Sequence, residues 1–139
     1  MSRRSSILTV LGGLATVPAA AQSDLDRAVA VARAAWEAHD VRGLVSASDT
    51  VRLRIPEVAA AQSLRPSQAA RILSAYLADA EELGFTLREI RHVADDHAYA
   101  EMERRFVVRG TEERREQTVF FGFRRVEGVW HLREVRVTP

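Results

Sequence analysis

In the C-terminal half of the chain, apolar and polar residues alternate along four stretches that are separated by short turns. A period of two is the spacing of a β-strand with one buried face and one solvated face. Turn residues lie between the stretches: Asp95 with Asp96, Gly110 and Gly128. The pattern therefore predicts an antiparallel four-strand meander, with strands over 85–93, 97–108, 115–126 and 129–137.

Large apolar side chains mark the face of the meander that is predicted to be buried. They are Ala98, Ala100, Met102, Phe106 and Val108 in the second strand, and Val119, Phe121 and Phe123 in the third. In the last strand the parity of the apolar residues changes between Leu132 and Val135. We expect a β-bulge near Arg133 and Glu134, because one extra residue returns both groups to the same face.

The N-terminal half predicts three helices and one short strand, in the order helix 24–39, helix 41–47, strand 51–55 and helix 66–83. Asp40 can cap the second helix, Pro66 suits the first turn of the third, and Gly84 can close it. Residues 57–64 are small and polar and are interpreted as a linker.

The chain has 139 residues and no cysteine. This length suits a single domain that closes a hydrophobic core without disulfides or thiolate metal sites. The sequence contains no internal repeat and no recognisable metal-ligand spacing. We therefore expect one compact domain over residues 22–139, with no bound metal and no cofactor.

Residues 1–21 are typical of a signal peptide. Arg3 and Arg4 precede an apolar stretch over 7–17, and alanines at 19–21 form a small-residue cleavage site. The apolar stretch is too short to span a bilayer, so no stable membrane insertion is expected. Cleavage after Ala21 predicts a periplasmic or secreted protein, exported by either the general secretory or the twin-arginine route.

All 20 basic residues are arginine, and the chain also has 19 acidic residues. Guanidinium groups suit phosphate and carboxylate partners. Here the arginines are interspersed with acidic residues, and the excess is interpreted as a codon preference in a chain rich in Ala and Val. No nucleic-acid partner is expected.

The order of helices and strands resembles the cone-shaped superfamily of nuclear transport factor two, which also contains ketosteroid isomerases and dehydratases. Within it, segments 51–56, 68–76 and 130–137 resemble uncharacterised exported bacterial domains. The resemblance implies an α+β fold in which three helices pack against a curved antiparallel sheet, formed by the meander and the short N-terminal strand. It also implies a hollow inside the cone.

Large side chains at inward positions are the candidate lining of that hollow: Trp36, Leu53, Tyr76, Phe85, Leu87, Met102, Phe106, Phe121, Phe123 and Trp130. A filled core would show the same pattern, so both interpretations stay open. Arg104 falls between Met102 and Phe106 on the inward face. It is expected to lie at the rim, to face an internal carboxylate, or to receive an anionic ligand such as a carboxylic acid.

Ketosteroid-isomerase chemistry needs a carboxylate base and acidic donors in one apolar cavity. The loose counterparts here are Asp49 and Tyr99, and Tyr99 is predicted to point away from the inner face. Dehydratases of similar shape pair His with Asp. The four histidines are predicted at a helix end, in a turn and at solvent-facing strand positions: His39, His97, His92 and His131. No catalytic residue is therefore assigned.

Three functions remain open from the sequence. The first is non-enzymatic binding of a small apolar or carboxylate ligand, or of an envelope partner, through the concave face and Arg104. The second is an isomerase or lyase of the ketosteroid-isomerase or dehydratase type. The third is an oligomerisation module that forms a homodimer through the sheet.

Overall fold

The computed structural model describes residues 19–139, with side chains from Asp24 onward. The predicted signal peptide lies outside the described residues except for its last three positions, which begin the first helix. Cleavage after Ala21 stays a prediction. No helix in the described part of the chain is long and apolar enough to cross a membrane.

Helices and strands follow one another along the described residues in a simple order. The helices are α1 (Ala19–Glu37), α2 (Val41–Val45) and α3 (Pro66–Ala78). The strands are β1 (Val51–Ile55), β2 (Ala59–Leu64), β3 (Ala80–Ala94), β4 (His97–Val108), β5 (Arg114–Val126) and β6 (Val129–Thr138). They form one curved, unclosed sheet in the order β2-β1-β6-β5-β4-β3. The predicted α+β class, with three helices on a curved sheet, is confirmed.

The sheet has one strand more than predicted, and one of its strand pairs is parallel. Ala59–Leu64 lies in the stretch interpreted as a linker, yet it forms β2 and pairs antiparallel with β1. β1 pairs in parallel with β6, so the meander is antiparallel but the whole sheet is mixed. The linker interpretation was wrong for these residues. They are mostly small and exposed, and the open edge of β1 recruits them through backbone hydrogen bonds.

The third helix starts at Pro66 as predicted, but it ends at Ala78 and not at Gly84. β3 begins at Ala80 and pairs with the end of β4. Arg109, just beyond β4, donates from Nε to the carbonyl oxygen of Ala78 at 3.0 Å. Carbonyl groups at a helix end need such donors. A contact from the β4–β5 turn therefore helps to end α3 at Ala78, whereas the sequence had predicted that Gly84 would end it.

The predicted β-bulge in the last strand is confirmed. Gly122 of β5 lies opposite Glu134 and Phe123 lies opposite Leu132, which leaves Arg133 without a register partner. The apolar residues on both sides of the bulge are consequently buried together: Trp130, Leu132, Val135 and Val137.

β3 also shifts its register against β4, at Leu83, Arg88 and Val93. Each shift changes which residues of β3 face inward. His92, which was predicted to face solvent, therefore lies on the inner side, where its ring meets the edge of Trp130 at a centroid distance of 6.2 Å. The parity of β3 could not be counted from the sequence because these shifts were not foreseen.

The predicted buried side of α1 is confirmed, with Leu25, Val29, Ala32 and Trp36 all in the core. The helix begins at Ala19, earlier than the predicted start at residue 24. Asp40 caps α2 as predicted, because the backbone N–H of Gly43 donates to its Oδ1 at 3.0 Å. α1, α2 and α3 pack on the inner face of the sheet, and none of these described helices lies on its outer face.

Candidate ligand-binding site

Arg104 lies on the inner face of β4, as predicted, and is only 1% exposed. Its guanidinium forms a two-pronged ion pair with Glu82 of β3. Arg104 Nε donates to Glu82 Oε1 at 2.9 Å, and Nη2 donates to Oε2 at 2.6 Å. Of the three arrangements expected for Arg104, the structure has the internal carboxylate, which is the partner that a buried guanidinium needs.

The other side of Arg104 is held by neutral groups. Nη1 donates to the Tyr76 hydroxyl at 3.1 Å and to Gln117 Oε1 at 2.9 Å. The Tyr76 hydroxyl in turn donates to the same Gln117 oxygen at 2.8 Å. The guanidinium also lies over the ring of Phe106, 3.9 Å from its centroid. Arg104 therefore meets a carboxylate on one side and two neutral acceptors on the other.

Glu82 is contacted by two further residues from the end of α1. Trp36 Nε1 donates to Glu82 Oε1 at 3.1 Å. His39 Nε2 lies 3.4 Å from Glu82 Oε2, although it makes no hydrogen bond within the described part of the chain. His39 has a φ of 56°, the left-handed conformation that often ends a helix. Three cationic or N–H-bearing side chains thus surround a single carboxylate.

The middle of the predicted hollow is packed with aromatic side chains. The rings of Trp36 and Phe85 stack with centroids 5.2 Å apart, and Phe121 lies 5.9 Å from each of them. Leu53 and Met102 have no exposed surface. These residues belong to one continuous core. In this region the filled-core interpretation is therefore the correct one. Packing in the core explains the row of aromatic residues without a ligand cavity.

A recess of about 670 Å³ opens beside this core and above Arg104. We call it the Arg104 recess. Tyr76, Arg104, Phe106 and Gln117 form its inner wall. The remaining wall combines apolar and charged residues from the β1–β2 turn and the surrounding strand ends, including Val58, Asp79, Ala80, Val108, Arg115 and Glu116. The recess therefore offers apolar surface at Val58, Ala80 and Val108, charged groups in its wall, and hydrogen-bonding groups at its floor.

The predicted lining residues do not meet in one hollow. Tyr76, Arg104 and Phe106 come together at the Arg104 recess. Phe123 and Trp130 lie instead at a second recess of about 430 Å³, beside α1 and the β5–β6 turn. The remaining predicted residues form the packed middle, and Leu87 is half-buried against it. The packed core thus separates the Arg104 recess from the second recess.

Glu82 and Gln117 are the site residues that the sequence interpretation missed. Glu82 was placed in the third helix, whereas it lies in β3 opposite Phe106. The register shift at Leu83 allows Glu82 and Phe85 to share the inner face, although their spacing in sequence would separate them. The signal available beforehand was Arg104 itself, because a buried arginine requires a carboxylate nearby.

The residues considered for isomerase chemistry do not converge on the Arg104 recess. Tyr99 lies on the outer face, where its hydroxyl donates to Glu134 Oε1 at 3.4 Å. Burial and the Glu134 carboxylate raise the pKa of Tyr99. Burial and the Arg124 guanidinium lower the pKa of His97, which is on the same outer face. The Asp49 side chain is 93% exposed. Among residues 24–139 no three His, Asp or Glu side chains are placed to hold a metal ion.

Comparison with solved structures identifies the fold. A ketosteroid isomerase-like protein from Erwinia carotovora aligns with a TM-score of 0.64 at 13% identity, covering 83% of this chain and 92% of that chain. A protein from Streptomyces avermitilis, designated a dehydratase of the NTF2-like family, aligns with a TM-score of 0.65 at 17% identity, covering 88% and 98%. This chain has the nuclear transport factor two-like fold.

The same comparisons set the limits of what the nuclear transport factor two-like fold says about function. A domain of unknown function with a cystatin-like fold, from Nostoc punctiforme, aligns with a TM-score of 0.66 at 14% identity, covering 88% of this chain and 78% of that chain. No family model and no curated protein sequence matches the chain. One fold carries several functions, so function has to be argued from the Arg104 recess itself.

Proposed function

We propose that this chain is a non-enzymatic binding domain whose Arg104 recess takes a small, uncharged and largely apolar ligand. The observation that supports this proposal best is the buried pair of Arg104 and Glu82 beneath a recess of about 670 Å³. A concave apolar site with a few fixed polar groups is the usual form of a small-molecule site.

The pairing of Arg104 favours an uncharged ligand over a carboxylate. Glu82 already neutralises the guanidinium through two hydrogen bonds. A bound carboxylate would add a second negative charge to a partly desolvated site, and an unpaired buried charge is strongly disfavoured. An uncharged acceptor can instead bond to the Gln117 amide nitrogen, because the Gln117 oxygen is already used by Arg104 and Tyr76.

The apolar part of the ligand would pack on the apolar side chains that line the recess. Phe106 is fixed by the guanidinium stacked on its ring, and Val58 and Val108 line the same space. Preorganised apolar surface of this kind binds without a large loss of side-chain entropy. The isomerase or lyase alternative has less support, because neither Asp49 nor Tyr99 lines the recess.

Native mass spectrometry of the protein purified from its own host tests this proposal. We expect a small mass that is retained in the native spectrum and lost on denaturation. Gln117→Leu should reduce its retention, because the variant removes the amide donor at the floor of the recess. Val129→Ala, which changes the second recess, is the matched control and should leave retention unchanged. Equal retention in both variants, or a partner protein in place of a small mass, would contradict the proposal.

Export is part of the same proposal. A domain that binds a ligand outside the cytoplasm would be delivered by the signal peptide expected over residues 1–21. The proposal of a ligand site does not depend on the export route.

A further inference from the structure

The outer face of the sheet carries a groove of about 750 Å³ that lies over β1, β6 and β5. We call it the arginine groove. Its lining includes six arginines but only two acidic residues, Asp96 and Glu134. The arginines are Arg52, Arg54, Arg124, Arg125, Arg133 and Arg136. It lies on the opposite side of the sheet from the Arg104 recess, so the two sites share no side chain.

Arg54 and Arg136 are direct register neighbours on the parallel pair of β1 and β6. Adjacent strands are only about 4.8 Å apart, and like charges placed opposite each other destabilise a sheet. Within the described part of the chain, neither arginine has an acidic side chain at ion-pair distance. The arrangement therefore has an unfavourable repulsion that an external anion would relieve.

Two groove arginines also have donors that lack acceptors. The Nε atoms of Arg133 and Arg136 are buried and make no hydrogen bond with any described residue. The Arg136 guanidinium is held over the ring of Phe120, 4.2 Å from its centroid. Buried donors normally have partners. The Arg136 side chain is thus held in place with its buried Nε–H donor unpaired among the described residues.

The acidic residues near the groove do not supply that acceptor. Glu134 accepts instead from the Tyr99 hydroxyl at 3.4 Å. Arg133 reaches Asp49 only at 3.8 Å, and Asp49 is almost fully exposed. Towards the β3 edge of the same sheet the arginines are paired, Arg88 with Glu103 at 3.1 Å and Arg91 with Glu89 at 2.7 Å. Uncompensated positive charge is therefore concentrated in the arginine groove.

The local electrostatics agree with this arrangement. Burial is the largest cause of the lowered pKa of His97, which lines the groove; the Arg124 guanidinium beside it lowers this pKa further, while Asp96 and Glu134 oppose the shift. A positive field disfavours the protonated imidazole in the same way that it attracts an anion.

We infer that the arginine groove binds a phosphate group, centred on Arg54 and Arg136. One guanidinium fork can satisfy both oxygens of a carboxylate, whereas a phosphate presents enough anionic oxygens for two or more forks. Neighbouring arginines with free donors therefore match phosphate better than carboxylate. The source of the phosphate is either a free phosphate compound or a phospholipid headgroup.

Titration of the full protein with inorganic phosphate tests the inference, followed through the Arg Nε–H signals in nuclear magnetic resonance spectra at constant ionic strength. We expect the Arg136 and Arg133 Nε–H signals to shift at millimolar phosphate. Arg54→Gln and Arg136→Gln should each raise the apparent dissociation constant at least about tenfold, since a charge-assisted bond is lost. Arg54 is exposed on its strand, so its variant is expected to fold even if Arg136→Gln does not.

The matched control is the double variant Arg88→Gln with Arg91→Gln, which removes two paired arginines of β3 and should leave phosphate affinity unchanged. An equal loss of affinity in this control would overturn the inference, as would a response that sodium chloride reproduces. Absence of any response to phosphate would also overturn it, whether sedimentation velocity shows a monomer or a dimer.

A second arm distinguishes the two sources of phosphate. Cosedimentation with phosphatidylglycerol vesicles that is lost in Arg54→Gln, with no binding to phosphatidylcholine, would identify a lipid headgroup. A phosphate response without vesicle binding would identify a free phosphate compound. Either result supports the phosphate site. If an oligonucleotide binds more tightly than both probes, the groove is a nucleic-acid site, and the inference is overturned.

Discussion

Arg104 and Glu82 form a buried two-pronged ion pair across β3 and β4, with Nε to Oε1 at 2.9 Å and Nη2 to Oε2 at 2.6 Å. The pair joins the packed aromatic centre to the Arg104 recess, because Trp36 contacts Glu82 from one side and Tyr76 contacts Arg104 from the other. The same interaction therefore governs both the stability of the domain and the charge that a ligand would meet.

Removing one member of this pair should destabilise the domain strongly. Glu82→Gln leaves the Arg104 guanidinium without its carboxylate, and Arg104→Met leaves the Glu82 carboxylate without its guanidinium. Each substitution should lower the free energy of unfolding by about 3–5 kcal/mol. Denaturation in urea measures the change.

The double variant Arg104→Met with Glu82→Gln separates charge from packing. It removes both charges together, so it should be more stable than either single variant. A double variant as unstable as the sum of the single changes would show that the pair acts through shape rather than through charge compensation.

The stacked aromatic centre is expected to be the main source of packing energy. Phe85→Ala removes a ring that contacts both Trp36 and Phe121, and should lower the free energy of unfolding by about 3–5 kcal/mol. Val31→Ala on α1 is a suitable control, because Val31 is exposed and its loss should change stability by no more than about 0.5 kcal/mol. Similar effects of the two substitutions would argue for a hollow rather than a solid centre.

Local alternation predicted much of this structure, because a two-residue period directly reports which residues face the core. It predicted the bounds of β1 and β4, the inward position of Arg104 and the bulge at Arg133. It could not predict β2, whose residues have little strand propensity and pair only because β1 has an open edge. It also could not place Glu82, because the sequence before Gly84 continues a helical pattern that strand pairing with β4 overrides.

Stability should depend on pH through His97. The pKa of His97 in the folded protein is lowered from 6.5, chiefly by burial and also by Arg124, despite opposing effects of Asp96 and Glu134. The unfolded chain then binds a proton more readily, so stability decreases as the pH falls below 6.5 and towards the folded-state pKa.

Urea midpoints measured at about pH 7.5 and about pH 5.5 test this dependence. The wild-type midpoint should fall more than that of His97→Gln over this interval. Equal changes in the two proteins would show that His97 does not contribute, and that other groups account for the pH dependence.

Export makes a prediction about the mature chain. Expression with the complete N-terminus in an exporting host should yield a protein that begins at Gln22, because the small residues at 19–21 precede the expected cleavage point. Intact-mass measurement of the exported fraction checks this, and Ala21→Tyr should block processing while the folded domain is unaffected. A mature protein that retains Met1 would remove the support for an exported function.

The selectivity of the Arg104 recess for uncharged ligands is tested most directly by a matched pair of probes, a naphthalene alcohol and the naphthoate of similar shape. Isothermal titration should show tighter binding of the alcohol to the wild-type protein. In Glu82→Gln, with folding verified by circular dichroism, Arg104 loses its carboxylate partner and naphthoate should gain about tenfold or more in affinity. Binding of neither probe, or a preference that is the same with and without Glu82, would contradict the account.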